Sequence, residues 1–279
     1  MIKESRSRKV ISLTDYVKGK KTLEDGSIKD VDELVKKGLD PLHAIYVSVQ
    51  NFTSAISELL SELSIFEEFY DIVTSVEEKY LKQGITQSPI TKSYFTTWAF
   101  FDLCFGQDNE TIGTCILDVS KELNLSSIFT DVIKIFQLSR MGIYTHCGSK
   151  GPKVLFKELL TEEEYYCHVA SGYLGEKGQI WFIRVLPPLT NFDYSVIFTT
   201  PYILKTSKKG LSSFLARTIP KTGINIAKNA LYHFMKYGLN RNYWHEYICN
   251  AYKDSQYNAI FLSGVPDIKR NIFPKPLDS

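Results

Sequence analysis

Apolar residues in the N-terminal part of the chain recur in alternating steps of three and four. This spacing is that of one face of an α-helix, and it predicts one long helix, or two nearly collinear ones, over residues 40–82. Asp40 and Pro41 supply an N-cap side chain and a proline for the first helical turn. The apolar positions of this seam are Leu42, Ile45, Val49, Phe52, Ile56, Leu59, Leu63, Phe66, Tyr70 and Val73.

The apolar stripe is wider than the seam itself. The positions beside it include Tyr46, Ala55, Leu60, Phe69 and Val76. A two-stranded coiled coil would carry charged residues there, so the width favours packing inside a helical bundle. The side chains expected in the core of that bundle are Ile56, Leu59, Leu63 and Phe66.

Apolar periodicity also places the remaining helices. Residues 91–105 are dense in aromatic side chains and predict a buried helix. Shorter helical patterns occur at residues 111–123, 126–139, 211–216, 223–237 and 242–253.

The period changes near Gly142, where helical spacing gives way to short strand-like runs. Several such runs at close spacing predict a small barrel or a strongly bent sheet. The run at 179–187 is apolar on both faces, so Trp181 and Phe182 are both expected to be covered, one by the barrel interior and one by helices. The five runs cover residues 143–147, 153–159, 164–171, 179–187 and 193–200.

These patterns together predict an α+β fold. An N-terminal helical bundle is followed by a small five-stranded barrel-like β module, and C-terminal helices pack on them. The predicted boundaries are a flexible basic arm at 1–30, a helical domain at 31–142, the β module at 143–205, a C-terminal helical segment at 206–264 and an extended tail at 265–279.

Composition narrows the class of protein. The chain has 279 residues, of which 44% are hydrophobic and 23% charged, and these are ordinary values for a globular protein. No apolar run reaches the roughly 18 residues that a membrane helix needs, and the first residues lack the apolar core of a secretory signal. The five cysteines are widely spaced and odd in number, so we expect reduced thiols and a cytoplasmic location.

Charge is strongly segregated although the net charge is only +2. Residues 38–78 carry eight carboxylates and no Lys or Arg, and we call this stretch the acidic helix. Residues 194–245 carry eight basic side chains and no carboxylate, and we call this stretch the basic segment. Its charges are Lys205, Lys208, Lys209, Arg217, Lys221, Lys228, Lys236 and Arg241.

A run of one charge sign is unusual for a solvated surface, which normally mixes signs. The basic segment is expected to dock against the acidic helix, within the molecule or in a partner. The alternatives are that it holds the phosphates of a nucleic acid or that it is an ordinary solvated face. On helix 223–237, Asn225, Lys228 and Lys236 can share one solvent-facing side. The aromatic residues available for stacking on bases are Tyr194, Tyr202, Tyr232, Tyr243 and Trp244.

Arg184 is a candidate of another kind. It shares a strand face with Ile180, Phe182 and Leu186, and a guanidinium among apolar neighbours needs a partner. That partner is either a buried carboxylate or a ligand anion, and we expect the carboxylate.

Metal and phosphate motifs are weak. His146-Cys147 and Cys167-His168 are adjacent pairs on predicted strands, and neighbours on a strand face opposite ways. His245 and Cys249 make half a zinc site, and we expect His245 at the margin of a core instead. Glycines 172, 175 and 178 precede a strand, whereas a phosphate cradle precedes a helix. The sequence therefore predicts no metal and no cofactor.

Three fragments resemble a known module. They are Phe95, Trp98 and Asp102 in F-x-x-W-x-x-x-D, the run SRMGIY at 139–144, and the stretch at 155–188 that ends in Arg-x-Leu-Pro. Residues 95–204 are similar to a module of uncharacterised bacterial proteins, some of which carry a SEC-C zinc motif. The resemblance implies a hairpin turn, a Ser-Gly loop and a Gly-led strand. Glu162 stands where that turn usually has glycine, and the zinc cluster itself is absent from this sequence.

The expected function is that of a non-enzymatic cytoplasmic interaction or regulatory protein that uses its charge-segregated surfaces. A nucleic-acid-binding protein that uses the basic segment is the alternative. An enzyme ranks third, because the sequence shows no acid–base pair, nucleophile or ligand set of useful specificity.

Overall fold

The computed structural model describes residues 31–81, 88–122, 125–159, 161–218 and 224–266. The predicted arm at 1–30 and most of the predicted tail at 265–279 lie outside these residues. Within them the fold is α+β, with a closed five-stranded barrel and additional strands. The predicted fold class is therefore confirmed.

The N-terminal helices form one layer. Residues 31–36 are helical. They are followed by α1 (Pro41–Leu60), a 3-10 turn (Ser64–Phe66), α2 (Glu67–Tyr80), α3 (Lys92–Phe101), α4 (Ile112–Glu122) and α5 (Ser127–Leu138). Asp40 caps α1 as predicted, because its Oδ1 accepts from the backbone N–H of His43 at 3.1 Å.

The predicted long helix is interrupted. Leu63 has an extended backbone between α1 and the 3-10 turn, and this shifts the helical phase of the residues that follow. Ile56 and Phe66 are buried as expected, whereas Leu63 is only half-buried, and the side chain of Leu59 lies outside the described set. In α2 the buried residues are Phe69 and Val76, which come from beside the seam, and Tyr80.

The barrel consists of β1 (Met141–Lys150), β2 (Lys153–Glu158), β3 (Glu164–Val169), β4 (Ile180–Leu186) and β5 (Ser195–Ile197). Its strand order is β1-β2-β3-β5-β4, and β4 pairs back with β1 to close it. The strands β3 and β5 are parallel, and the other neighbours within the barrel are antiparallel.

Strand β4 lies between two cores, as its apolar pattern predicts. Trp181 packs inside the barrel and Phe182 packs against the helices, and both side chains are fully buried. The ring centroids of Phe182 and Trp244 are 4.8 Å apart. The expectation that both faces of this strand are covered is therefore confirmed.

The C-terminal segment is only partly helical, which corrects the prediction for 206–264. After β6 (Tyr202–Lys205), the helices α6 (Lys208–Thr218), α7 (Ile224–Tyr237) and α8 (Tyr243–Ala251) lead to an antiparallel hairpin of β7 (Tyr252–Gln256) and β8 (Ala259–Ser263). The sheet extends from β4 through β6 and β8 to β7. Residues 259–262 are mostly apolar and become buried when they pair with β6. This pairing explains why the segment forms a strand and does not continue the helix.

The turn between β2 and β3 has the geometry that glycine favours. Glu162 adopts φ +60°, in the left-handed region. The turn is closed by a hydrogen bond of 2.9 Å from the Glu158 N–H to the Glu163 carbonyl.

Candidate functional site

A buried ion cluster joins the helical layer to the barrel. Asp102 follows the C-terminus of α3, and Arg184 reaches it from β4. The Arg184 Nη2 donates to Asp102 Oδ2, and its Nη1 donates to Ser139 Oγ at 2.9 Å. Asp102 and Arg184 are 6% and 1% exposed. Arg184 therefore has the buried carboxylate partner that its surroundings required.

Lys236 is the third charge of this cluster. Its Nζ lies 3.3 Å from Asp102 Oδ1 and donates to the carbonyls of Gln137 and Ser139, the latter at 3.1 Å. These carbonyls belong to the C-terminus of α5, where a cation is favoured by the helix dipole. Burial lowers the pKa of Lys236, and the neighbouring carboxylate of Asp102 opposes that effect.

This corrects the expectation that Lys236 faces solvent. The residue is 2% exposed, so it cannot belong to a phosphate-binding surface. Helical spacing predicts that Lys236 lies opposite the apolar side of α7. The long aliphatic part of its side chain is buried, and its ammonium group reaches the C-terminus of α5. The three motif fragments at Asp102, Ser139 and Arg184 thus meet in one structural cluster.

The rest of the basic segment lies mostly on the surface. Lys221 falls outside the described residues, and the exposed members are Lys205, Lys208, Lys209, Arg217, Lys228 and Arg241. Within the described part of the chain, none of these exposed lysines pairs with a carboxylate of the acidic helix.

Two open grooves flank the glycine loop at 172–178. One has a volume of about 760 Å³, and Lys205, Lys253 and Tyr257 lie on its walls. The other is about 750 Å³ and is lined by Lys177 and Lys205. We call this region the hairpin surface, defined by residues 172–179, 205–209 and 252–261.

Helix α6 begins at the edge of the hairpin surface. Ser207 caps it, because its Oγ accepts from the Gly210 N–H at 3.0 Å. Lys208 and Lys209 occupy the first turn and are exposed. Cations at a helix N-terminus oppose the helix dipole, at roughly 0.3–1 kcal/mol each. The interaction of these two charges with the helix dipole therefore does not stabilise the fold.

The tip of the β7–β8 hairpin carries the most exposed large apolar side chain that the described structure contains. Tyr257 is 84% exposed, and it and Asn258 have φ of +49° and +61°. They are the two central residues of the turn, since Gln256 pairs with Ala259. Positive φ at both positions is the geometry of a type I′ turn, in which a bulky residue is strained.

The sequence pattern predicted helix in this region and not a hairpin, and the aromatic residues expected to stack on bases were different ones. Tyr202, Tyr243 and Trp244 are buried, while the hydroxyls of Tyr194 and Tyr232 bond to Asp40 at 2.8 Å and to the Leu138 carbonyl at 3.0 Å. A usable signal was present in the sequence. The polar run at 253–258 and the apolar run at 259–262 have the order of a turn followed by a buried strand.

The metal candidates are dispersed in the structure. Among the described residues, no group of three or more His, Cys, Asp and Glu side chains could hold a metal ion. His245 lies in the core and not at its margin, at 0% exposure, with its ring centroid 4.4 Å from that of Trp98. The described helices include none that is long and apolar enough to cross a membrane.

Comparisons with protein-family models, with curated proteins and with solved structures found no match.

Proposed function

We propose that this protein binds nucleic acid through the hairpin surface. The observation that carries the proposal is the pair Lys208 and Lys209, exposed in the first turn of α6, where they oppose the helix dipole. Two charges that are unfavourable for the helix dipole are explained if they bind a negatively charged ligand.

The neighbouring charges support the same assignment. The hairpin surface contains five lysines, at 177, 205, 208, 209 and 253, against the two carboxylates of Glu176 and Asp254. Asp254 is also engaged within the hairpin, since its Oδ1 accepts from the Ser255 N–H at 2.8 Å. A surface of this kind attracts phosphates, and binding releases counterions from the nucleic acid.

The test is a charge reversal with a matched control. In Lys208→Glu/Lys209→Glu the first turn of α6 gains favourable charges, so the fold should not be weakened. Lys36→Glu/Lys37→Glu changes the net charge equally, at an exposed lysine pair elsewhere. Binding of fluorescent oligonucleotides is measured by anisotropy over a range of salt concentrations.

We expect the wild-type affinity to fall steeply with salt. The 208/209 variant should bind at least ~10-fold more weakly with a shallower salt dependence, because each lost phosphate contact removes about 0.7–0.9 from the slope. The 36/37 variant should bind nearly as well as wild type. Absence of wild-type binding at about 50 mM salt, or equal weakening by both variants, would contradict the proposal.

A protein partner is the second candidate, because among the described residues no lysine of the basic segment forms a salt bridge with the acidic helix. Seven of its carboxylates are exposed: Glu58, Glu62, Glu67, Glu68, Asp71, Glu77 and Glu78. This face could dock a basic protein surface or the basic segment of a second copy. Salt-dependent self-association in analytical ultracentrifugation, abolished by the 208/209 variant, would favour a second copy over nucleic acid.

A further inference from the structure

Tyr257 lines the same groove as Lys205 and Lys253. Its neighbour Asn258 anchors the turn, because the Asn258 Nδ2 donates to the Ser171 carbonyl at 3.0 Å. The hairpin tip is thereby tied to the start of the glycine loop. A large aromatic ring is thus presented to solvent on a turn that is hydrogen-bonded to a neighbouring loop.

The backbone conformation makes this placement unusual. A type I′ turn is relaxed with asparagine and glycine, and tyrosine at φ +49° is unfavourable. Burial does not explain the residue, since its side chain is 84% exposed. Strain of this kind is a pointer to function.

The groove that Tyr257 lines has two lysines and two carboxylates, Glu176 and Asp254, on its walls. Lys205 Nζ lies 4.6 Å from the centroid of Phe261, which lines the same groove. Lys253 stands on the same wall, and Gln179 and Gln256 offer amide groups. Proteins commonly hold unpaired bases by combining exposed aromatic rings with cations that bind the phosphates.

We infer that Tyr257 stacks on an unpaired base, so that the nucleic acid bound by this surface is single-stranded. The inference rests on the proposed function and adds the class of nucleic acid. In a duplex the faces of the bases are covered by stacking, and a ring on a hairpin tip reaches them only by unstacking the duplex.

The experiment compares three probes in the same anisotropy assay. These are an oligo-dT strand of about 15 nucleotides, a duplex of equal length, and the single strand with abasic sites in place of bases. The variants are Tyr257→Ala, Tyr257→Phe and, as a control at an exposed apolar residue outside the hairpin surface, Leu239→Ala. Alanine keeps the Cβ atom and hence the backbone strain, and circular dichroism verifies that each variant is folded.

We expect tighter binding of the single strand than of the duplex. Tyr257→Ala should weaken single-strand binding by roughly 10-fold, while Tyr257→Phe and Leu239→Ala should leave it within about 2-fold of wild type. On the abasic strand, Tyr257→Ala should have no effect.

The outcomes separate this inference from the proposed function. Salt-dependent binding with equal affinity for strand and duplex, unaffected by Tyr257→Ala, would overturn the stacking role and leave the phosphate-binding role standing. A loss on Tyr257→Ala that persists with the abasic strand would also overturn stacking. Absence of binding to every probe would overturn both.

Discussion

At the scale of single residues, His245 shows how far packing can remove a side chain from water. It is surrounded by Tyr80, Tyr94, Phe95 and Trp98, with a ring-centroid separation of 5.4 Å from the stacked Tyr80. Neither ring nitrogen has a hydrogen-bond partner among the described residues. Burial lowers the pKa of His245 to about 3, so the imidazole is neutral in the folded protein.

This predicts a loss of stability on acidification. An unfolded histidine has a pKa of 6.5, so below that pH the unfolded chain takes up a proton that the folded chain does not. Stability should fall as the pH drops from about 6.5 toward 3, and the contribution at pH 5 is about 2 kcal/mol. We expect His245→Phe to reduce the difference in unfolding free energy between pH 7 and pH 5 by about this amount.

Urea unfolding at the two pH values provides the measurement. His43 contributes in the same direction, because burial lowers its pKa to about 4, so the wild-type difference should not vanish entirely in the variant. His233→Gln, at an exposed position, serves as the control. An unchanged pH difference in His245→Phe would show that the buried imidazole is not the source.

At the scale of elements, apolar spacing located the helices well but not the breaks between them. It predicted α1, because a capped start and a continuous apolar stripe agree there. It could not reveal the extended conformation of Leu63, since the apolar steps continue through the break. Strand β8 was not predicted, because its short apolar run becomes a strand by pairing with β6, which is distant in sequence.

The β2–β3 turn offers a prediction at this scale. Glu162 has φ +60°, where a side chain is unfavourable and glycine is not. Its ion pair with Lys157, at 3.5 Å and with both side chains exposed, adds little to stability. We expect Glu162→Gly to raise the unfolding free energy by about 1 kcal/mol in urea denaturation.

The control for the turn is Glu162→Ala, which removes the same charge but keeps the Cβ atom. It should not stabilise the protein. Equal behaviour of the two variants would mean that backbone strain at this position is negligible.

At the scale of the whole molecule, the ion cluster at Asp102 links α3, β4 and α7. The sequence pointed to a carboxylate for Arg184, because a buried guanidinium must be neutralised. It could not identify Asp102 or include Lys236, since the helical layer and the barrel meet only in the folded protein. The position of a lysine on a helix does not reveal how far its stem will reach.

We expect Asp102→Ala to cost about 3–5 kcal/mol of unfolding free energy, because it leaves two buried cations without a counter-charge. Lys236→Met should cost less, since Asp102 and Arg184 remain as a neutral pair. Guanidinium or urea unfolding of both single variants and the double variant measures the coupling. A larger loss for Lys236→Met than for Asp102→Ala would contradict this account of the cluster.

The parallel pairing of β6 with β8 has a consequence for how the chain reaches its fold. Three helices separate the two strands in sequence. One edge of β6 pairs with β4, which precedes it, and the other edge pairs with β8, which is synthesised later. Contacts between distant residues form slowly, and an unpaired strand edge invites association with other chains. During synthesis on the ribosome, this edge of β6 stays unpaired until β8 has been made, and in that interval chaperones or neighbouring chains can bind to it.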